Sequence, residues 1–232
     1  MAAKEKSPEK SQIKSKKRVA DHGEVFTAER EVKAMCDLVK DETERLDSRF
    51  LEPACGDGNF LVEILSRKLA VLKKQYKKSP SDYEKYSVVA VGSIYGVELL
   101  QDNAERCRQR LFEIWNKEYT AVCKKECSDE FREVIKFLFQ KNILQGNALS
   151  LKQVDEHQQD TEIPIIFCEW SLVTGNKIKR RDFRLDHLLD RKNNTPEIFE
   201  NDLEYDSKTQ TFIPKPIKEY PLTDFRRINQ YE

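Results

Sequence analysis

The residues best suited to chemistry lie in FLEPACGDGNFL, Phe50 to Leu61, where Gly56 and Gly58 sit one residue apart between an apolar pair and an apolar periodic segment. A turn of that composition lets backbone amides and a helix N-terminus face a ligand at the carboxyl edge of a parallel sheet. Two glycines before a helix also serve as a plain tight turn. A dinucleotide fold wants a third glycine at position 61, which is Leu here, and this argues against NAD. The second feature is Glu98 in GVELL. A carboxylate ending the second strand of such a sheet accepts the ribose hydroxyls of a nucleoside, although Glu98 lies further from the turn than the usual ~20 residues. A solvated strand end is its plainer use.

Other chemistry is poorly provided for. His22, His157 and His187 sit in polar surroundings with no nucleophile beside them. Of the six cysteines only Cys123 and Cys127 are close, with no second pair to complete a zinc site, so reduced structural thiols and no metal are expected. The 41 basic and 41 acidic residues cancel, leaving no global field to draw the molecule to DNA or a membrane. Nucleic-acid contact must come from local clusters: the basic arm ending near Arg18, and Lys177, Lys179, Arg180 and Arg181 in NKIKRRDF. No long apolar run or secretion-type leader occurs, so a cytoplasmic protein without a membrane segment is expected.

The elements that must position these residues follow an α/β order. A helix beginning near Thr27 places Val32, Met35, Cys36, Leu38 and Val39 on one stripe. A short strand ends at Glu52, and a helix with apolar residues at 60, 61, 64, 65, 69 and 72 leaves the turn. SPSDY reads as a linker, YSVVAVGSIYGVEL as a strand ending near Glu98, LQDNAERCRQRLFEIWNKEY and residues 129 to 140 as helices, NILQGNAL as a strand and turn, and IPIIFCEW as a buried fourth strand. A mostly parallel sheet is the consequence. Three divisions are expected: a disordered basic arm over 1–22, a cofactor-binding domain over 23–172, and a basic, proline-punctuated extension over 173–232. Within the extension, TFIPKPIKEYP is too apolar for a free tail and is expected to strap over the fourth strand, unless a partner covers it.

In order, GEVFTAEREVKAMCDLV, FLEPACGDGNFLVEIL, GVELLQDNAERCRQRL and NILQGNAL resemble the first half of the S-adenosylmethionine-dependent N6-adenine DNA methyltransferases of restriction-modification systems. The resemblance covers about residues 23 to 151 and implies a Rossmann-like methyltransferase fold. It implies that Phe26 and Thr27 meet the methionine end of the cofactor, that Glu52, Ala54, Gly56 and Gly58 line its methionyl and ribose portion, and that Glu98 holds the ribose hydroxyls. Leu99 would pack on the adenine, and Asn147 with Ala148 would face its edge. Two positions depart from the family: Ala28 stands for Pro, and Asn147 for Asp, which replaces a charge-assisted acceptor by a neutral one.

The acceptor half is different. The family extrudes the target base and holds it with Asn/Asp-Pro-Pro-aromatic at the end of the fourth strand. No such tetrapeptide occurs in these 232 residues. If FCEW takes its place, Trp170 supplies a stacking face and Glu169 an acceptor; a core tryptophan at a strand end is the simpler reading. The sheet accordingly reads as truncated after the fourth strand, and the chain as either a methyltransferase, acting alone or with a partner subunit, or a non-catalytic cofactor-binding or partner-binding subunit.

Overall fold

The computed structural model describes residues 13–22, 24–189, 203–206 and 211–231. Its centre is a parallel sheet in the order β1 (Phe50–Glu52), β2 (Ile94–Glu98), β3 (Ile143–Gln145), with Glu52 opposite Gly96 and Glu98 opposite Gln145. All five residues of β2 are buried, as expected of a strand covered on both faces.

One face of β2 carries Ile94, which packs among helices. α4 (Asn59–Tyr76) buries Leu61, Ile64, Leu65, Leu69 and Leu72 at helical spacing, and α6 (Gln101–Cys123) adds Cys107, Leu111, Trp115 and Tyr119. α7 (Asp129–Asn142) starts at Ser128, whose hydroxyl accepts from the Phe131 N–H at 3.1 Å, with Asp129 and Glu130 favourably placed in its first turn.

Between α4 and β2 the structure departs from the sequence reading. Residues 80–92, expected as linker and strand, form α5 (Pro80–Gly92). Ser79 caps it by accepting from the Asp82 N–H, Pro80 occupies a position where its missing N–H costs nothing, and Tyr83, Ser87, Val88 and Val91 are buried on one side. Capping and burial at a 3.6-residue period outweigh the β-branched run VVAV.

The expected fourth parallel strand is also different. β6 (Ile166–Thr174) leaves the parallel sheet and pairs antiparallel with β7 (Lys177–Arg184), placing Trp170 opposite Arg180. The hairpin lies over the second face of β2, where Tyr95 and Val97 pack with Ile165, Phe167 and Leu185, and the Tyr95 hydroxyl donates to the Cys168 carbonyl at 2.9 Å. A two-residue-scale turn through Gly175 closes this pairing with far less loop entropy than insertion beside β1.

The far edge of β7 is covered from the C-terminal segment. β10 (Lys218–Glu219) and β11 (Thr223–Asp224) pair antiparallel with it, and Tyr220, Phe225 and Ile228 are buried. The strap thus closes on β7 rather than on β6, and Ile217, expected within it, stays 50% exposed. A small hairpin, β4 (Lys152–Val154) with β5 (Asp160–Pro164), follows β3. Another pairs β8 (Leu203–Asp206) with β9 (Thr211–Pro214).

At the N-terminal side, residues 1–12 of the expected arm lie outside the described residues, while α1 (Lys16–His22) is helical. α2 (Glu29–Asp37) buries only Val32 and Cys36 of its expected stripe; Met35, Leu38 and Val39 are exposed, and the one-turn α3 (Lys40–Thr43) follows.

Candidate functional site

The glycine turn connects β1 to α4. Gly56 and Gly58 have φ of +54° and +93°, and a Cβ at Gly58 would lie 2.6 Å from the Cys107 Sγ. Both the backbone angle and the approach of α6 therefore require glycine there. The turn is fixed from both sides: the Cys55 N–H donates to Val97 O at 3.0 Å, and Arg110 reaches the Asp57 carbonyl at 2.7 Å and the Asn59 Oδ1 at 3.0 Å. Asp57 adds an ion pair to Arg110 at 2.6 Å.

Glu98, 8% exposed, ends β2 beside this turn. Its Oε2 accepts from the Gly56 N–H at 2.8 Å; its Oε1 accepts from the Leu100 N–H at 3.0 Å and from the Asn103 Nδ2 at 3.3 Å. A carboxylate offers about four acceptor positions. Three are filled by the protein, and one remains on Oε2. The acid and the glycine turn are thus one hydrogen-bonded unit at the carboxyl edge of the parallel strands.

The other residues implied by the resemblance gather at the same edge. The Phe26 ring lies against Gly56, with its Cε1 3.0 Å from where a Cβ would be. The Thr27 carbonyl accepts from Asn59 Nδ2 at 3.1 Å. Burial pushes the Glu52 carboxyl above its ordinary value, partly offset by the Ala54 N–H. The Leu99 carbonyl accepts from Gln145 Nε2 at 3.2 Å, and the Gly146 N–H donates to the Glu98 carbonyl at 2.9 Å, which draws the β3 exit toward the acid. Asn147 follows: its Oδ1 accepts from the Leu149 N–H at 3.0 Å, and its Nδ2 donates to Asp160 at 2.9 Å. Ala148 packs on the cluster around Ile165.

Sequence reasoning missed a second set of residues here. Asn103, 1% exposed, was legible only as a helix start, yet its Nδ2 donates at 2.6 Å to Glu24 as well as to Glu98. Arg18 binds Glu24 at 2.6 and 2.8 Å and Asp102 at 2.9 and 3.1 Å. Lys14 donates to Asp102 at 3.2 Å and to the Asn103 Oδ1, with its ammonium 5.8 Å from the Phe26 ring centroid. Burial opposes ionisation of Glu24, but Arg18 and Asn103 outweigh it and hold the carboxyl below its ordinary value. No motif signals this set; it depends on where the chain folds back.

Glu169 and Trp170 are not brought to the glycine turn. Trp170 packs against Gly92 and Phe137, and its Nε1 donates to Asn142 at 3.0 Å. Gly92 and Asn142 precede β2 and β3, so Trp170 lies at the opposite end of the strands, roughly 20 Å from the turn by strand rise. Glu169 is paired with Arg49 and, at 2.6 Å, with Arg181. An open groove of about 1030 Å³ lies at that same end, lined by Phe50, Tyr86, Val89 and Trp170, and holds none of the glycine-turn residues.

The basic cluster is also engaged internally. Lys179 pairs with Glu219 at 2.7 Å and Arg181 with Glu169. Arg180 is 6% exposed: it binds both oxygens of Asp182 at 2.9 Å, donates to the Tyr231 carbonyl at 2.8 Å, and lies 4.0 Å from the Tyr220 ring centroid. Lys177 is exposed at the start of β7. Among the described residues, no group of three or more His, Cys, Asp and Glu is arranged to hold a metal, and no helix is long and apolar enough to cross a membrane.

No curated protein and no solved structure matches the chain. A family model, that of the MmeI DNA-methyltransferase domain, matches residues 27–176, the stretch that holds the parallel sheet, the glycine turn and Glu98. With more than half of its length matched, the chain belongs to the MmeI DNA-methyltransferase domain family, among the DNA methyltransferases of restriction-modification systems.

Proposed function

We propose that the chain binds S-adenosylmethionine at the glycine turn, on a reduced Rossmann-like sheet, and serves N6-methylation of adenine in DNA. The observation that carries this reading is the contact of the Glu98 carboxylate with the Gly56 N–H, which joins a nucleoside-type acid to a ligand-type turn at one edge of the parallel strands. The free acceptor position on Glu98 suits one ribose hydroxyl, and the long Asn103 contact is the one a second hydroxyl would replace. Gly56 and Gly58, without Cβ atoms, let the Phe26 ring and the Cys107 Sγ pack directly on the turn. Phe26, Thr27, Glu52 and Ala54 would border the methionyl part, and Leu99, Asn147 and Ala148 the adenine. The bound cofactor would supply an electrophilic methyl group.

In this reading residues 23–172 form the cofactor domain, 1–22 an arm and 173–232 an extension. DNA contact through Lys177, Lys179, Arg180 and Arg181 would require phosphate to replace Glu219 and Glu169 as partners, and would leave buried Arg180 out. A second reading, a non-catalytic cofactor-binding or partner-binding subunit, is favoured by the placement of Glu169 and Trp170 away from the turn. Two measurements separate the readings. Calorimetry with S-adenosylmethionine and its demethylated product, S-adenosylhomocysteine, is expected to give heat; none with either ligand refutes cofactor binding. Transfer of tritiated methyl groups to DNA, with and without the products of neighbouring genes, is expected only if an acceptor pocket is assembled. Cofactor binding with no transfer under any combination supports the subunit reading.

A further inference from the structure

We propose that Glu24, Asn103, Arg18 and Lys14 are positioning residues of the nucleoside site, and that Lys14–Arg18 together with Glu24–Phe26 form a clasp whose closure is linked to cofactor binding; the inference rests on the cofactor reading above. Glu98 is reached by one side-chain amide, that of Asn103, and this single nitrogen is shared with a second buried carboxylate, Glu24, whose side chain is 7% exposed. Two carboxylates on one amide repel each other unless cations offset them. Arg18 and Lys14 supply that charge. Arg18 bridges Glu24 to Asp102 with four hydrogen bonds, and Lys14 holds the other end of the Asn103 amide. The same segment ends with the Phe26 ring resting on Gly56. The arm therefore meets the site at two points, the turn and the start of α6, and is linked to the acid through Asn103.

The two contacts of Asn103 differ in length, 2.6 Å to Glu24 and 3.3 Å to Glu98. When a ribose hydroxyl takes the second position on Glu98, the weaker contact is given up and Glu24 keeps Asn103 aligned. A bound cofactor, enclosed by Phe26, in turn closes the route by which the segment would lift away. Linkage requires the effect to be reciprocal: whatever loosens the clasp weakens binding, and whatever binds tightens the clasp.

Lys14, Lys16, Lys17 and Arg18 make the clasp readable by trypsin, with cuts located by mass spectrometry. S-adenosylhomocysteine is expected to slow cleavage after Lys14, Lys16 and Lys17 at least fivefold in the full chain. Arg18→Ala, a partly exposed site, is expected to speed that cleavage, abolish its dependence on ligand and raise the calorimetric Kd at least tenfold. Arg18→Lys, which keeps the charge but not the fork, should fall between, and Asn103→Asp, which adds a carboxylate beside Glu98 and Glu24, should exceed Arg18→Ala in its effect on Kd. A purely structural role would shift unfolding without making the cleavage ligand-dependent. Ligand heat in the wild type with unchanged cleavage, or Arg18→Ala binding as tightly as wild type, overturns the clasp and leaves the cofactor reading intact. Absence of heat in the wild type overturns both.

Discussion

Replacing Glu98 by Ala is expected to remove most of the nucleoside affinity at a modest cost in stability, and the two effects are separable. Of the acceptor positions on the carboxylate, those facing Gly56 and Leu100 hold backbone amides at 2.8 and 3.0 Å, and the third holds Asn103 at 3.3 Å. A ribose gains one new bond at the free position and exchanges another with Asn103, so the net worth of Glu98 is close to one hydrogen bond to a charged group, about 1.5 to 3 kcal/mol. That corresponds to roughly a ten- to 150-fold rise in Kd. On the stability side, the Gly56 N–H is only half-buried and is rehydrated easily. The Leu100 N–H sits on a residue 9% exposed, so a cost of about 1 to 2 kcal/mol is expected from it. Glu98→Gln retains one acceptor oxygen and should lie between wild type and Glu98→Ala in both respects. Titration calorimetry with S-adenosylhomocysteine, alongside urea unfolding of each variant, measures the pair of effects. A folded Glu98→Ala protein that binds within twofold of wild type would refute the assignment of the acid.

Three further outcomes follow from the packing. Gly58→Ala, with φ of +93° and the Cys107 Sγ 2.6 Å from the new Cβ, should cost about 1 to 3 kcal/mol in thermal unfolding, whereas Gly175→Ala, with nothing within 4 Å, should cost only about 1 kcal/mol for its positive φ. Arg180→Met leaves Asp182 buried without its cation and should cost about 3 to 5 kcal/mol in urea unfolding; the double variant with Asp182→Leu should recover part of that. Lys68, fully buried, donates to the Leu46 and Ser48 carbonyls and the Ser93 hydroxyl, while burial pushes its pKa down to about 7. Between pH 7 and about 10 the unfolded chain then holds this proton more firmly than the folded one, so this residue's contribution makes stability rise with pH across that window. Lys68→Met should flatten that component of the profile relative to wild type, and equal slopes in pH-dependent urea unfolding would exclude it.

The parts of the fold legible in the sequence were those set by local chemistry. Gly56 and Gly58 announced a turn because glycine adopts positive φ at the least steric cost, and α4 and α6 carried helical spacing. α5 was misread because VVAV has strand character taken alone, while its helical state depends on the Ser79 cap and on burial against α4 and α7. The place of β6 was misread for a related reason: an apolar strand states that both its faces are covered, not which strand it pairs with. Arg180 shows the limit for charge. A run of cations reads as a solvated patch, and only the alternation of β7, bringing every second residue inward onto Asp182 and Tyr220, reveals that one of them is core. The link from Glu24 through Asn103 to Glu98 spans most of the cofactor half and has no sequence signature.

The way the C-terminal segment closes the molecule bears on how it is made. Arg226 binds Glu84 on α5 at 2.6 Å across a separation of 142 residues, Phe225 stacks edge-on to Phe131, and the backbone carbonyl of Tyr231 receives Arg180. On a ribosome these residues emerge long after α5, so the outer edge of β7 and the polar groups around Asp182 stay uncovered until they are made. The parallel sheet and its helices can gather earlier in elongation, but this closure waits for the segment from Lys218 to Tyr231 to leave the exit tunnel, and such long-range closure is slow. A nascent chain stalled short of Lys218 would present an unpaired strand beside a half-satisfied buried arginine, the state in which this protein would depend most on chaperones.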